Sequence, residues 1–258
     1  MNYILGASGF LGKHISQRVQ CVAIPHGDIP TTKLQPFDNL YYLASYGNLI
    51  HQTDIAETIK ANVLDVAHII DQAVKHDFKS FIFISTSSVK LKVQTSYSRA
   101  KRATEEILLA YLERYNKPIC IIRPFSITGV GEQSEHLIPK LIRSCMTGES
   151  MDFVGEPTHD FIDVDDIVSG ILNLSEHSAR GIFELGNGLL YTNDQVREIV
   201  ERVTGKKANI HRVESMRKYD NQSWSSTNYR ARSWGWMPKK SLEVSIREMY
   251  ESLKKTNT

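Results

Sequence analysis

Tyr97-Ser98-Arg99-Ala100-Lys101 sets a phenol and an ammonium four residues apart. On a helix the two side chains share a face, where the cation favours the ionised form of a phenol whose ordinary pKa is about 10. Tyr97 is therefore a candidate acid/base at near-neutral pH, with Lys101 as its partner. The rest of the chain must supply the helix that carries this pair and a ligand for it to act on.

The first residues point to that ligand. Tyr3-Ile4-Leu5 reads as a short buried strand running into Gly6-Ala7-Ser8-Gly9-Phe10-Leu11-Gly12 and then into an amphipathic segment from Leu11 to Val19. Gly6 permits the turn, Gly9 allows backbone to approach a diphosphate, and Gly12 lets the helix pack closely on the strand. The helix start adds N–H donors and the positive end of a dipole. This is the spacing of a dinucleotide-binding turn.

Apolar strand-like runs recur at Cys21 to Ile24, Leu40 to Ala44, Phe81 to Ser85 and Ile119 to Ile122. Helix-period runs lie between them, over Thr53 to His76 and Ala100 to Tyr115, and Leu242 to Leu253 reads as a closing helix. The alternation predicts an α/β fold of parallel βαβ units. Past Pro124 the pieces shorten and glycines become frequent, so residues 1–125 are expected to bind the dinucleotide, and residues 126–258 to form mainly a substrate-facing lobe, with some segments returning to the first sheet.

Composition narrows the function. At 258 residues the chain can bury a sizeable core. A net charge of +2 with dispersed Lys and Arg forms no basic stripe, which argues against nucleic acid. Cys21, Cys120 and Cys145 are odd in number and far apart, fitting neither a disulfide framework nor a metal cluster and suiting a reducing cytoplasm. No apolar run is long enough to span a membrane, and no export signal opens the chain. His51, His76 and His136 have no ligand-spaced partners, and no metal site is expected.

The ordered motifs resemble the extended short-chain dehydrogenase/reductases of the NAD-dependent epimerase/dehydratase type, which act on nucleotide-linked sugars. Leu43-Ala44-Ser45 is similar to that family's strand end under the cofactor, Asn62-Val63-Leu64 to its Asn-Val helix, and Phe81-Ile82-Phe83-Ile84-Ser85-Thr86 to its catalytic strand. Arg123-Pro124-Phe125-Ser126, Asp160-Phe161-Ile162-Asp163, Gly181 to Gly186 and Trp234 to Pro238 resemble later signatures. The resemblance implies a Rossmann-like doubly wound sheet, NAD or NADP as cofactor, and Tyr97, Lys101 and Thr86 as the catalytic group, with Ser87 as the fallback hydroxyl. It further implies cofactor contacts from Gly6, Ser8, Gly9, Phe10, Leu11, Gly12, Asp28, Leu43, Ala44, Ser45, Asn62, Tyr97 and Lys101, and substrate contacts from Ser87, Ser126 and His159. Members often pair through the helix bearing the Tyr and Lys, so Leu108, Leu109 and Leu112 are either a homodimer surface or internal core.

Several departures bear on the reaction. Ser87-Ser88 stand where dehydratases of the group carry an Asp-Glu pair, which disfavours dehydration. Only 11 positions separate Thr86 from Tyr97, shorter than the family's loop. The stretch between the first helix and the third strand region is abbreviated, so a second strand and its helix are expected to be missing. Pro25 and His26 occupy the place of the ribose-binding acid, leaving NAD against NADP open. Ser126 and His159 replace an Asn and an Arg, with Lys140, Arg143, Arg212 and Arg217 as candidate replacement cations.

Two functions follow: epimerisation or keto-reduction of a nucleotide sugar by hydride transfer, or a cofactor-binding sensor or scaffold on the same fold. Retention of both Tyr97 and Lys101 favours the enzyme.

Overall fold

The computed structural model describes residues 1–49, 51–215 and 222–256. In chain order the elements are β1 (Asn2–Leu5), α1 (Phe10–Ser16), β2 (Val22–Ile24), β3 (Asn39–Tyr42), α2 (Ile55–Ile59), α3 (Asp65–Ala73), β4 (Ser80–Ile84), α4 (Ser96–Tyr115), β5 (Ile119–Pro124), β6 (Ser126–Thr128) and α5 (Leu137–Thr147). They continue with β7 (Met151–Phe153), β8 (Thr158–Asp163), α6 (Val164–Glu176), β9 (Gly181–Leu185), β10 (Leu190–Thr192), α7 (Asn193–Thr204), β11 (Ile210–Arg212), α8 (Tyr229–Ser233) and α9 (Leu242–Thr256).

Two compact units result. One comprises Met1–Pro124, Val168–Glu184 and Tyr229–Trp236, and the other Phe125–Ile167, Leu185–Asn228 and Met237–Thr258. In the first, a six-stranded sheet has the order β2-β1-β3-β4-β5-β9, and the pairings of β1 with β2 and β3, β3 with β4, and β4 with β5 are all parallel. Every residue of β4 is buried, as a strand covered on both faces requires. Leu5, Leu40, Tyr42, Phe81, Phe83, Ile119 and Ile121 meet Val66, Ile69 and Ile70 of α3 and Leu108 of α4 in its core.

The second unit packs α5, α7 and α9 around Leu141, Ile142, Phe153, Val196, Val200, Leu242 and Ile246. Its strands form the sheets β10-β8-β6 and β11-β7.

Two expectations are corrected by the backbone. The second strand is present, with Val22–Ile24 paired to Tyr3, Ile4 and Leu5; its following helix is reduced to a 3-10 turn over His26–Thr31. The predicted helix over residues 53–76 is broken by a π turn at Lys60–Leu64 between α2 and α3. Tertiary bonds account for the extra residue in that turn. Buried Asn62 donates from Nδ2 to Tyr46 O at 2.7 Å and Thr58 O at 2.8 Å, while the Thr104 hydroxyl on α4 donates to Asn62 O at 2.5 Å.

The turn from β1 into α1 is as tight as its glycines allow. Gly6 has φ +89°, and a Cβ there would lie 2.7 Å from Ala44 N. A Cβ on Gly12 would lie 2.1 Å from Gly6 O, a backbone atom that cannot rotate away. Gly12→Ala is therefore expected to destabilise the cofactor-free protein by about 2 kcal/mol or more through forced backbone displacement. A urea midpoint equal to wild type would show that the turn yields without cost.

Candidate active site

α4 is started by Thr95, whose hydroxyl accepts from Ser98 N at 3.2 Å, and stopped by left-handed Asn116. Its buried face contains Ala100, Lys101, Thr104, Glu105 and Leu108. A Lys and a Glu thus stand one turn apart on the side that packs inward, toward the C-terminal end of the sheet.

Lys101 is 1% exposed. Its ammonium donates to Ile84 O, the last residue of β4, at 2.9 Å, and lies 4.6 Å from the centroid of the Phe83 ring and 5.8 Å from that of Tyr97. Burial pulls its pKa down to about 7, against the opposing field of Glu105.

Tyr97 is half-buried. Burial pushes its phenol up to about 12, and the hydrogen bond with Ser45 offsets part of this. The expectation that Lys101 brings Tyr97 toward neutrality is therefore not met: the phenol is raised. The ammonium turns to a strand carbonyl instead of the phenol, and desolvation of the phenolate outweighs the hydrogen bond.

Thr86 follows β4 and caps the 3-10 turn Ser87–Lys90: its Oγ1 accepts from Ser88 N at 3.2 Å and lies 3.0 Å from Ser88 Oγ. It remains half-exposed, whereas Ser87 is buried at 6%. The short span between Thr86 and Tyr97 is this turn followed directly by the start of α4.

The dinucleotide turn meets the strand end expected beside it. Gly6 abuts the backbone of Leu43 and Ala44, Gly9 N donates to Gly6 O at 3.1 Å, and Ser8 and Gly9 face outward, with Phe10 and Leu11 half-buried. Side-chain-free backbone at Gly6, Gly9 and Gly12 fits a pyrophosphate, and Lys101 and the buried, unpartnered Oδ1 of Asn62 supply polar atoms in the same unit. These residues fit the cofactor the turn implies. Asp28 is exposed within the 3-10 turn, where its carbonyl accepts from the Thr31 and Thr32 hydroxyls at 3.2 and 2.8 Å. Among the described residues no cluster suited to a metal occurs.

Ser126 and His159 belong to the other unit, on the neighbouring strands β6 and β8. The His159 ring packs edge-on against Phe161 and Trp224, with centroids 5.6 and 6.3 Å away. Of the candidate cations, Arg212 is held by Asp194 at 2.6 and 3.1 Å and Arg143 by Glu149 at 3.2 Å, while Arg217 lies outside the described residues. His76 and His136 are engaged locally, by Leu34 O at 3.0 Å and Glu132 at 3.0 Å. Leu108 is completely buried in its own core, with Leu109 and Leu112 packed against that core.

The group that sequence reading missed is Glu105. Both its oxygens are engaged, by Ser85 Oγ at 2.5 Å, Arg123 Nε at 2.9 Å and Arg123 Nη2 at 2.5 Å. A helical i, i+4 step from Lys101 was its only signal. A second ion pair, Lys90 with Glu184 at 2.7 Å, joins residues 94 apart in the chain and left no local trace.

Comparison with known proteins bears on the family and the fold. The chain is 26% identical over 202 residues to the low-salt glycan biosynthesis protein Agl12 of Haloferax volcanii, covering 72% of this chain and 65% of that one. It is 24% identical over 311 residues to the UDP-glucose 4-epimerase of Halalkalibacterium halodurans, covering 94% and 92%. The structure of MoeE5 in complex with UDP-glucose and NAD superposes with a TM-score of 0.90 at 19% identity, over 100% of this chain and 99% of that chain, which shows a shared fold. No helix among the described residues is long and apolar enough to cross a membrane. A profile described as the NAD dependent epimerase/dehydratase family matches residues 31–186, more than half of the chain, and the protein belongs to that family.

Proposed function

We propose that this protein epimerises a nucleotide-linked sugar by NAD(P)-dependent hydride transfer at a carbinol carbon, with Tyr97 as acid/base, Lys101 as its charged partner and Thr86 as the hydroxyl that orients the substrate oxygen. The carrying observation is the buried Lys101 ammonium. An amine 1% exposed, with one carbonyl acceptor, is held at a cost that packing alone would avoid with a methionine. Epimerisation is favoured over net reduction by the near full-length likeness to a UDP-glucose 4-epimerase and by the fold shared with a protein that binds UDP-glucose together with NAD.

A bound nicotinamide supplies the hydride acceptor and donor. The chain supplies the rest. The glycine turn and Leu43-Ala44-Ser45 hold the dinucleotide, and Asn62 and Lys101 lie in the same unit to meet it. Tyr97 takes the sugar hydroxyl proton and returns it, and Thr86 fixes which oxygen faces Tyr97. A charged Lys101 one helical turn from the phenol lowers the energy of the phenolate, against the burial that raises it. Ser126 and His159 are assigned to the substrate. Ser87-Ser88 offer no carboxylate for elimination.

Tyr97→Phe is expected to lower turnover by at least 100-fold, on the order of what positioned proton transfer contributes, while NAD(P) binding by calorimetry is retained; turnover near the wild-type rate would refute the acid/base role. Activity itself is read by conversion of UDP-glucose or a related nucleotide sugar to its epimer with no net change in NADH absorbance. Stoichiometric NAD(P)H oxidation would identify a reductase, and nucleotide-sugar binding without conversion would identify a sensor.

The pH dependence of stability follows from Lys101. Its folded pKa, about 7, lies below the ordinary lysine value, so the unfolded chain binds the extra proton between about pH 7 and 10.5. The penalty for burying Lys101 is full below pH 7 and fades as pH rises through that window. Lys101→Met should stabilise the cofactor-free protein by about 2–3 kcal/mol more at pH 6 than at pH 9 in urea unfolding. An equal gain at both values would mean that Lys101 is not desolvated.

A further inference from the structure

Glu105 is as deeply buried as Lys101, at 1% exposed, yet the two do not close on each other. Ser85 donates to one oxygen, and Arg123 spans both from β5. β4 ends by dividing its attention between the two charges: the Ile84 carbonyl accepts from Lys101 at 2.9 Å, and the next residue's hydroxyl donates to Glu105 at 2.5 Å. Three charges of alternating sign, Arg123, Glu105 and Lys101, are thereby fixed across β5 and α4.

The consequence is geometric. A lysine paired directly with a carboxylate spends its N–H groups on that partner. Here the carboxylate oxygens are already taken, so Lys101 receives the field of an anion one helical turn away while Ile84 O uses only one of its three donors. Elsewhere in the same unit Lys60 pairs with Asp65 at 3.2 Å and Lys90 with Glu184 at 2.7 Å. Tyr97 faces it from its own helix. Arg123 and Ser85 together direct three hydrogen bonds at the Glu105 carboxyl group, so it has no oxygen left over for Lys101.

We propose that Glu105 is the buried counter-charge of Lys101, locked by Ser85 and Arg123, and through Lys101 a positioning residue for the Tyr97 phenol. The electrostatic part stands on this geometry alone; the effect on turnover rests on the function proposed above.

The two parts are tested separately. In the cofactor-free full chain, lysine Cε NMR follows the titration of Lys101, its signal assigned by its absence from Lys101→Met. Glu105→Gln should move the midpoint to lower pH by roughly one unit or more, as loss of one buried charge at this spacing implies. Ser85→Ala, which loosens the carboxylate without removing it, should move the midpoint the same way by less, and it decides the question if Glu105→Gln does not fold. A midpoint unmoved in the folded variants overturns the inference. In turnover, Glu105→Gln should lower kcat about tenfold with KM changed less than twofold, shift the alkaline limb of the pH profile to lower pH, and be partly rescued by Glu105→Asp. A moved Lys101 midpoint together with wild-type turnover in both Tyr97→Phe and Glu105→Gln would leave the counter-charge standing and remove the proposed function. An inert Tyr97→Phe with an unmoved midpoint in Glu105→Gln would do the reverse.

Discussion

The Lys101 ammonium, 1% exposed and hydrogen-bonded to the last carbonyl of β4, is the constraint on which the rest of the site depends. A cation in that position demands a polar strand end to receive it, an aromatic face beside it and an anion near enough to offset its desolvation. Ile84 O and the Phe83 ring meet the first two, and Glu105 opposes the desolvation in part; all three are set by how α4 lies against β4 and β5. The parallel pairing of β1 to β5 makes this workable because those strands deliver their C-terminal ends to one edge, which is where side chains from β4, β5 and α4 converge.

The same packing explains why the helix before β4 is irregular. A regular helix over residues 55–73 would keep its carbonyls in its own ladder. The π turn at Lys60–Leu64 releases Asn62 O to the Thr104 hydroxyl on α4 and holds the Asn62 side chain against Tyr46 and Thr58. One hydroxyl thus joins the two helices within one turn of Lys101. Buried charge at Lys101 and Glu105 is expensive, and the function proposed above gives its retention a reason, preorganisation of an acid/base pair.

The abbreviated region after α1 shows what the fold tolerates. β2 still pairs with β1, but a 3-10 turn replaces the following helix, and the first residue beyond β2 is Pro25 rather than an acid. The edge of a sheet can lose a covering helix more readily than its centre, where β3 and β4 are buried throughout or nearly so.

What the sequence by itself determined was local. Hydrophobic periodicity marked β1 to β5 and the helical runs of α1, α2 with α3, α4 and α9, glycine spacing marked the turn after β1, and the i, i+4 step marked Tyr97 with Lys101, because each depends on chain neighbours alone. Tertiary structure decided the rest. Whether Lys101 lowers the phenol or turns to Ile84 O is a question of solvent exclusion and of which acceptor lies nearer. That Ser85 and Arg123 enclose Glu105, and that Lys90 meets Glu184, depends on segments between 18 and 94 residues apart being brought to one sheet edge. Pattern in a sequence reports which face a side chain takes; the dielectric around a charge, and the partner it finds there, exist only once the chain has folded.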